Sequence, residues 1–169
     1  DIMMKFGIPY KIVGGIKFYQ RKEIKDLLAY LRVIANPSDN VSLLRIINVP
    51  RRGIGSKTVD SLKELSEKQN CSIFDIIKNI DQFSLSSAVQ NKVRKFQTLI
   101  EDLIKASKSQ SVFQLIETTL DKTGYLDELL SENTAEAQSR IENLKEMGSV
   151  AMDFEIKSSD ASLGDFLTE

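Results

Sequence analysis

Histidine is absent from the 169-residue chain, and cysteine occurs once, as Cys71. Without histidine there can be no Ser-His-Asp triad, no Cys-His pair and no His-ligated zinc site. A single cysteine excludes an internal disulfide and a Cys-x-x-Cys motif, and it suits the reducing cytoplasm. No apolar run approaches the roughly 18 residues that a membrane-spanning helix requires, so we expect no membrane partner. The start of the chain lacks the features of a signal peptide. It begins with Asp1 rather than Met, so we expect a segment of a longer protein.

Proline and glycine are concentrated near the beginning of the chain. All three prolines and five of the eight glycines precede residue 56. Because both residues interrupt regular structure, this distribution favours long helices in the remaining two thirds. The apolar content of 41% and charged content of 28% are those of one ordinary globular domain. The sequence therefore predicts an all-α fold, with one short strand at 9–13.

The net charge of −1 conceals an uneven distribution of charged residues. Residues 1–60 carry a net charge of +6, residues 61–110 carry +2, and residues 111–169 carry −9. The first third is basic enough to bind a nucleic acid locally, although an uneven set of solvated helix faces is the simpler interpretation of charge alone. The acidic last third is not expected to face DNA, because the phosphates would repel it.

Apolar residues recur at three- and four-residue spacings along most of the chain, which predicts amphipathic helices. Ser, Thr or Asp precedes most of these runs and is the expected N-cap. The second helix is capped by Ser38 or Asp39 and ends at Val49, and the long helix that follows residue 85 is capped by Ser86 or Ser87. The other predicted helices span 20–35, 57–69 after a Ser56 cap, 73–80, 112–122, 126–130, 134–155 and 161–169.

The sequence also predicts the environment of several individual residues in these helices. Val41 heads the expected apolar face of the second helix. The paired carboxylates Glu23 and Asp26 are interpreted as solvated surface charges rather than as an acid–base pair. Tyr30 is assigned to packing rather than to stacking on bases. Gly148 lies inside a long helix, where glycine costs about 1 kcal/mol relative to alanine, so a kink or a close helix contact is expected there.

The stretch Val49-Pro-Arg-Arg-Gly-Ile-Gly-Ser-Lys-Thr58 is the most informative motif. Its glycines allow a positive φ and the close approach of an anion, while the isoleucine between them packs inward. The free N–H groups at the start of the next helix would point outward, where the helix dipole favours a phosphate. A helix-hairpin-helix element of this kind holds the DNA backbone without reading bases. The candidate DNA-binding residues are the loop itself and its two supporting arginines: Arg51, Arg52, Gly53, Ile54, Gly55, Ser56, Lys57 and Thr58.

The same motif is also compatible with a tight interhelical turn that needs glycine only for steric reasons. It is not a Walker A loop, because the string GxxxxGK[ST] does not occur in the chain. We therefore expect no ATP hydrolysis by this chain alone, and we find no candidate catalytic or metal-binding residue.

Several strings resemble the UvrD/PcrA/Rep family of superfamily-one DNA helicases, and they cover essentially the whole chain in order. The longest runs from Gly7 to Arg32 and reads GIPYKIVGGIKFYQRKEIKDLLAYLR. The others are NPSD at 36–39, LRIINVPRRGIG at 44–55 followed by Thr58, KTGY at 122–125, EAQSRIENL at 136–144 and DFL at 165–167. Within the family, the chain is most similar to the PcrA-type enzymes of Gram-positive bacteria.

The resemblance implies that this chain is the accessory insertion called 2B of an ATP-driven 3′-to-5′ DNA helicase that acts in repair and replication. Residues 1–13 would be a remnant of the second motor subdomain, 14–160 the 2B subdomain, and 161–169 the start of the return to the motor core. Gly14 and Gly15 would form the hinge. The ATPase motifs, with their ATP and Mg²⁺, would lie outside this chain.

The implied partners are duplex DNA at a single-strand/double-strand junction and the motor subdomains of the same parent chain. Rotation of 2B would regulate unwinding. Two other functions stay open: a protein-interaction domain whose acidic helices recruit a repair or transcription protein, and a free-standing helix-hairpin-helix module of a nuclease or ligase. The GIPYKIVGG string argues against the second.

Overall fold

Side-chain caps begin most helices of the computed structural model, which describes residues 17–168. Each cap accepts a hydrogen bond from the backbone N–H three residues later, which satisfies one of the free donors of the first turn. The structure selects Asp39 over Ser38 and Ser86 over Ser87 where the sequence left two choices. The caps of this kind are Asp39, Ser72, Ser86, Ser111, Thr134 and Ser162.

The described residues 17–168 contain no strand, which confirms the all-α fold class for that part of the chain. The strand predicted at 9–13 and the hinge glycines Gly14 and Gly15 lie outside the described residues. The elements are α1 (Lys22–Ala35), α2 (Asn40–Ile46), α3 (Ser56–Gln69), α4 (Ile73–Lys78), a 3₁₀ turn (Ile80–Gln82), α5 (Ser87–Ser107), α6 (Val112–Lys122), α7 (Tyr125–Glu132), α8 (Ala135–Lys157) and α9 (Leu163–Leu167).

Helix α1 is the central element of the fold, because α2, α5, α6, α8 and α9 all pack against it. Ile24, Leu27, Leu31 and Ile34 recur at three- and four-residue spacing and are buried. Tyr30 and Val33, at 1% and 0% exposed, are buried as well. Burial therefore extends around most of the helix circumference. Residues on α1 consequently contact both the basic first part of the chain and the acidic last part.

The apolar face predicted for α2 is wrong at its first residue. Val41 is 82% exposed, whereas Leu43 and Ile46 are fully buried. The spacing 43, 46, 47 fits a helix face as well as 41, 44, 47, and packing against α1 selects the former.

The interpretation of Glu23 and Asp26 as solvated surface charges is also wrong, because they are only 4% and 1% exposed. Asp26 accepts hydrogen bonds from Lys22 at 2.6 Å, Arg45 at 2.9 Å and the Tyr125 hydroxyl at 2.8 Å. Both carboxylates face packed helices, and a buried charge of this kind requires such partners.

The second carboxylate of this pair is held in the same way by the last long helix. Glu23 accepts a 2.7 Å hydrogen bond from the side-chain amide of Asn143 on α8, and the Arg140 guanidinium lies 4.0 Å away. The two carboxylates therefore connect α1 to α2, α7 and α8 through side-chain hydrogen bonds.

The glycine inside α8 marks a close helix contact, which is one of the two outcomes that the sequence predicts. A Cβ atom at Gly148 would stand 3.2 Å from the Phe113 ring of α6. A side chain at this position would require the Phe113 ring to move by a few tenths of an ångström. Among the helices of residues 17–168, none is both long and apolar enough to cross a bilayer.

Candidate nucleic-acid interface

The loop 47–55 joins α2 to α3 and contains most of the motif singled out from the sequence. Gly53 adopts φ +73°, a left-handed conformation that favours glycine. Ile54 is 2% exposed and belongs to the hydrophobic core, as predicted. The loop therefore has a buried anchor between two exposed glycines.

Two side chains outside the predicted site determine the path of this loop. The Asn48 side-chain oxygen accepts hydrogen bonds from the backbone N–H groups of Arg52 at 2.7 Å and Ile54 at 3.3 Å. The buried Tyr30 hydroxyl donates a hydrogen bond to the Val49 carbonyl. These bonds satisfy polar backbone groups within the loop and hold it against α1.

The start of α3 differs from the prediction, in which Ser56 was the N-cap. The N-cap is Gly55, with φ −75° and ψ 174°, and Ser56 is the first helical residue. No side chain within residues 17–168 caps this helix. The N–H groups of its first turn are thus left for solvent or a ligand at a place where Gly55, Ser56 and Lys57 are exposed.

Lys92 of α5 lies over the loop, and the sequence motif did not predict it. Its Nζ and Cε atoms lie 3.2 and 3.3 Å from the position that a Gly53 Cβ would occupy. The residue is exposed, and no carboxylate of the described segment is within ion-pair distance of it. Its position in the exposed part of α5 was readable from the sequence, but its closeness to Gly53 follows from the packing of the chain.

The two adjacent arginines occupy different environments. Arg51 is exposed, whereas Arg52 is half-buried and its guanidinium points into the protein. One terminal nitrogen of Arg52 donates to the Ile46 carbonyl at 2.6 Å, and the other donates to the Tyr30 hydroxyl. Its guanidinium carbon lies 5.1 Å from the centre of the Phe96 ring and 5.7 Å from that of Tyr30.

Burial raises the pKa of the Tyr30 phenol above its ordinary value, although the neighbouring Arg52 opposes this shift. The phenol is therefore neutral at physiological pH. In that form it can donate to the Val49 carbonyl while it accepts from Arg52.

The structure thus brings Arg51, Lys57 and the backbone of Gly53–Ser56 to one exposed loop and adds Lys92 to them. Thr58 is half-buried in the first turn of α3. Arg52 and Ile54 belong to the same loop but are directed inward. The arrangement offers cations and free backbone N–H groups to an anion.

Comparison with known proteins gives a consistent assignment. A family model described as UvrD-like helicase C-terminal domain matches residues 1–169. The chain is 43% identical over 169 residues to the ATP-dependent DNA helicase PcrA of Bacillus subtilis (strain 168), covering 100% of this chain and 23% of that protein.

Two staphylococcal relatives agree with this match. The chain is 44% identical over 171 residues to the ATP-dependent DNA helicase PcrA of Staphylococcus epidermidis, covering 100% of this chain and 24% of that protein. It is 43% identical over 171 residues to the protein of the same name from Staphylococcus aureus (strain COL), again covering 100% of this chain and 23% of the relative. The chain therefore spans about a quarter of the length of these relatives. It belongs to the UvrD-like helicase C-terminal domain family.

Proposed function

We propose, starting from this family membership, that the chain is the 2B accessory subdomain of an ATP-dependent 3′-to-5′ DNA helicase. Its part in the enzyme is to hold the backbone of duplex DNA at a single-strand/double-strand junction. The contacts are made by the exposed Arg51, Lys57 and Lys92 and by the backbone N–H groups at the start of α3, while the rest of the stretch 51–58 holds the loop in place. They are independent of base sequence, because backbone N–H groups and lysine or arginine cations bind phosphates and do not read bases.

The observation that carries this proposal is the environment of Gly55. Its φ of −75° is available to any residue, and a Cβ atom there would meet nothing within 4 Å. Neither backbone conformation nor packing within residues 17–168 therefore requires glycine. A capping Ser or Asp would stabilise α3 better than glycine does, but it would occupy the N–H groups that a phosphate needs.

The charge around the loop supports the same function. Arg51, Lys57 and Lys92 are exposed, and the first turn of α3 contains no acidic residue. Positive charge and unpaired N–H groups together favour a phosphate more than either feature alone. The acidic residues of α7 and α8 are remote in sequence from this loop, and they suit solvent or a protein surface.

ATP and Mg²⁺ enter the proposal only through the parent enzyme, because this chain lacks a Walker A string. The motor subdomains of the same protein would supply the ATPase. Residues 1–13 and 161–169 would connect this subdomain to them, with Gly14 and Gly15 as the hinge about which it rotates to regulate unwinding.

The test is Gly55→Asp, assayed by fluorescence anisotropy with a tailed hairpin duplex across a range of salt concentrations. The aspartate caps α3 and is expected to raise the stability by a few tenths of a kcal/mol. The same side chain occupies the first-turn N–H groups and repels phosphate, so duplex affinity is expected to fall by about tenfold or more. Opposite changes in stability and affinity identify a ligand site rather than a steric turn.

Gly164→Asp on α9 is the matched control, because it adds the same charge in the acidic part of the chain. We expect its duplex affinity to equal that of the unchanged protein. If Gly55→Asp also binds like the unchanged protein, the loop is a structural turn and the proposal is rejected.

One observation favours a second function, the recruitment of a repair or transcription protein. Met152 and Ile156 of α8 are 47% and 79% exposed and lie four residues apart, so they share a helix face in the acidic third of the chain. If the unchanged chain does not bind the tailed duplex, this protein-interaction function becomes the better assignment.

A further inference from the structure

We infer that Arg52 is a positioning residue of the DNA-binding loop and does not itself contact the duplex. This inference rests on the proposed function of the loop. The sequence places Arg51 and Arg52 together as two equivalent cations, and it is the structure that separates their roles.

The hydrogen bonds of Arg52 connect three elements. Its side chain donates to the Ile46 carbonyl in the last turn of α2 and to the Tyr30 hydroxyl on α1. Its own backbone N–H donates to Asn48 inside the loop. The carbonyls at a helix C-terminus carry partial negative charge, so a guanidinium there is favourable.

The rings around Arg52 restrict its guanidinium further. Phe96 of α5 is fully buried and Tyr30 is 1% exposed, and both rings lie within 6 Å of the guanidinium carbon. Arginine suits this place because a planar guanidinium can stack on a ring and donate in two directions at once. Lysine has the charge but neither the plane nor the two separated donors.

The conformation of the loop therefore depends on the hydrogen-bonded pair Tyr30 and Arg52. Tyr30 connects Arg52 to the Val49 carbonyl, so that removing either side chain releases the same segment. Gly53 to Lys57 follow directly after Arg52. Their N–H groups keep the orientation needed for a phosphate only while this segment is held.

The experiment compares Arg51→Met with Arg52→Met, two identical substitutions at neighbouring positions. Duplex affinity is measured as a function of salt and expressed per folded molecule, with the folded fraction taken from circular dichroism. Arg51→Met is expected to reduce the slope of log K against log salt by about 0.9, the value for one phosphate contact. Arg52→Met is expected to weaken binding about tenfold at every salt concentration with the slope unchanged.

Tyr30→Phe tests the positioning role separately. If Arg52 contacted a phosphate directly, loss of the Tyr30 hydroxyl would leave duplex affinity unchanged. The residue is buried and uncharged, yet its loss is expected to lower affinity about as much as Arg52→Met does. The double variant is expected to bind like either single variant, because both act on one unit. Arg52→Lys is expected not to restore affinity.

The inference is overturned if Arg52→Met reduces the salt slope and its loss of affinity adds to that of Tyr30→Phe in the double variant. That result would show a direct contact between Arg52 and the duplex. A fall in stability with unchanged affinity per folded molecule would also overturn it, since Arg52 would then be structural only. The proposed function fails separately: if Arg51→Met and Gly55→Asp both bind like the unchanged chain, the loop does not hold DNA. Absence of binding by the unchanged chain rejects both.

Discussion

Two junctions between helices each contain a glycine and are hydrogen-bonded to α1, but the residues around them differ in charge. The first junction is the loop 47–55, and the second is the turn 123–125 between α6 and α7. Gly53 and Gly124 adopt φ values of +73° and +78°. The first junction is bonded to Tyr30 and the second to Asp26, which lie four residues apart on α1 and so share one face.

The N-cap residue of the helix after each junction is a glycine, which has no side chain to cap it, although the Thr123 hydroxyl accepts a hydrogen bond from the Tyr125 N–H of α7 at 3.2 Å. The first turn of α7 nevertheless contains Asp127 and Glu128, whereas that of α3 contains no acidic residue. Carboxylates in a first turn satisfy the helix dipole and repel a phosphate. Under the proposed function, the charge around the glycine distinguishes the first junction from the second, rather than the glycine itself.

The largest expected loss of stability comes from replacing Asp26, the α1 residue to which the second junction is hydrogen-bonded. Asp26→Ala removes the buried acceptor of the Tyr125 hydroxyl, while the Lys22 and Arg45 side chains, 56% and 39% exposed, can turn to water. The expected cost is about 2 kcal/mol of the free energy of unfolding. Urea denaturation followed by circular dichroism measures it. Asp127→Ala is the control at the same junction and is expected to change stability by less than about 0.5 kcal/mol. Equal effects of the two substitutions would contradict a structural role for the buried carboxylate.

The next effect concerns the two glycines themselves. Gly53→Ala and Gly124→Ala each force a side chain into the left-handed region, at a cost of about 1 kcal/mol. The expected stability losses are similar. Duplex affinity per folded molecule, measured by anisotropy, is expected to fall for Gly53→Ala alone. A matching fall for Gly124→Ala would show that the second junction also meets DNA.

A smaller effect distinguishes the lysines next to the two junctions. Lys92→Gln is expected to reduce the salt slope of duplex binding by about 0.9, because its cation lies beside Gly53. Lys122→Gln, next to the second junction and 4.0 Å from Asp102, is expected to leave the slope unchanged. The prediction fails if the two variants give the same slope.

The smallest expected effect is a loss of stability at alkaline pH, to which Tyr30 and Tyr125 both contribute. Burial, together with the neighbouring Asp26, raises the pKa of Tyr125, and burial raises that of Tyr30. A phenol whose pKa is higher in the folded state contributes stability below about pH 10 that is lost at higher pH, at about 0.4 kcal/mol per tyrosine at pH 10. Thermal unfolding between pH 8 and 10.5 measures this decline. Tyr30→Phe and Tyr125→Phe are each expected to reduce it, and an unchanged decline in both would contradict the assignment.

Local rules determined much of this molecule from sequence alone. The cap at Ser72 and the inward Ile54 followed from patterns that act within a few residues. The glycine-containing loop between α2 and α3 also followed from a contiguous motif. These features depend on neighbours along the chain, which a sequence displays directly.

Other features depended on neighbours that are distant along the chain. Asp26 is buried because Tyr125, 99 residues later, packs against it, and Arg52 turns inward because Tyr30 and Phe96 meet there. Lys92 joins the loop only because α5 lies beside it. The spacing of charged residues on one helix cannot reveal which of them will face a second helix. Composition and local pattern therefore determined the helices and the loop, while tertiary packing decided which charges are buried and which can meet a ligand, because burial and partnership are properties of the folded chain.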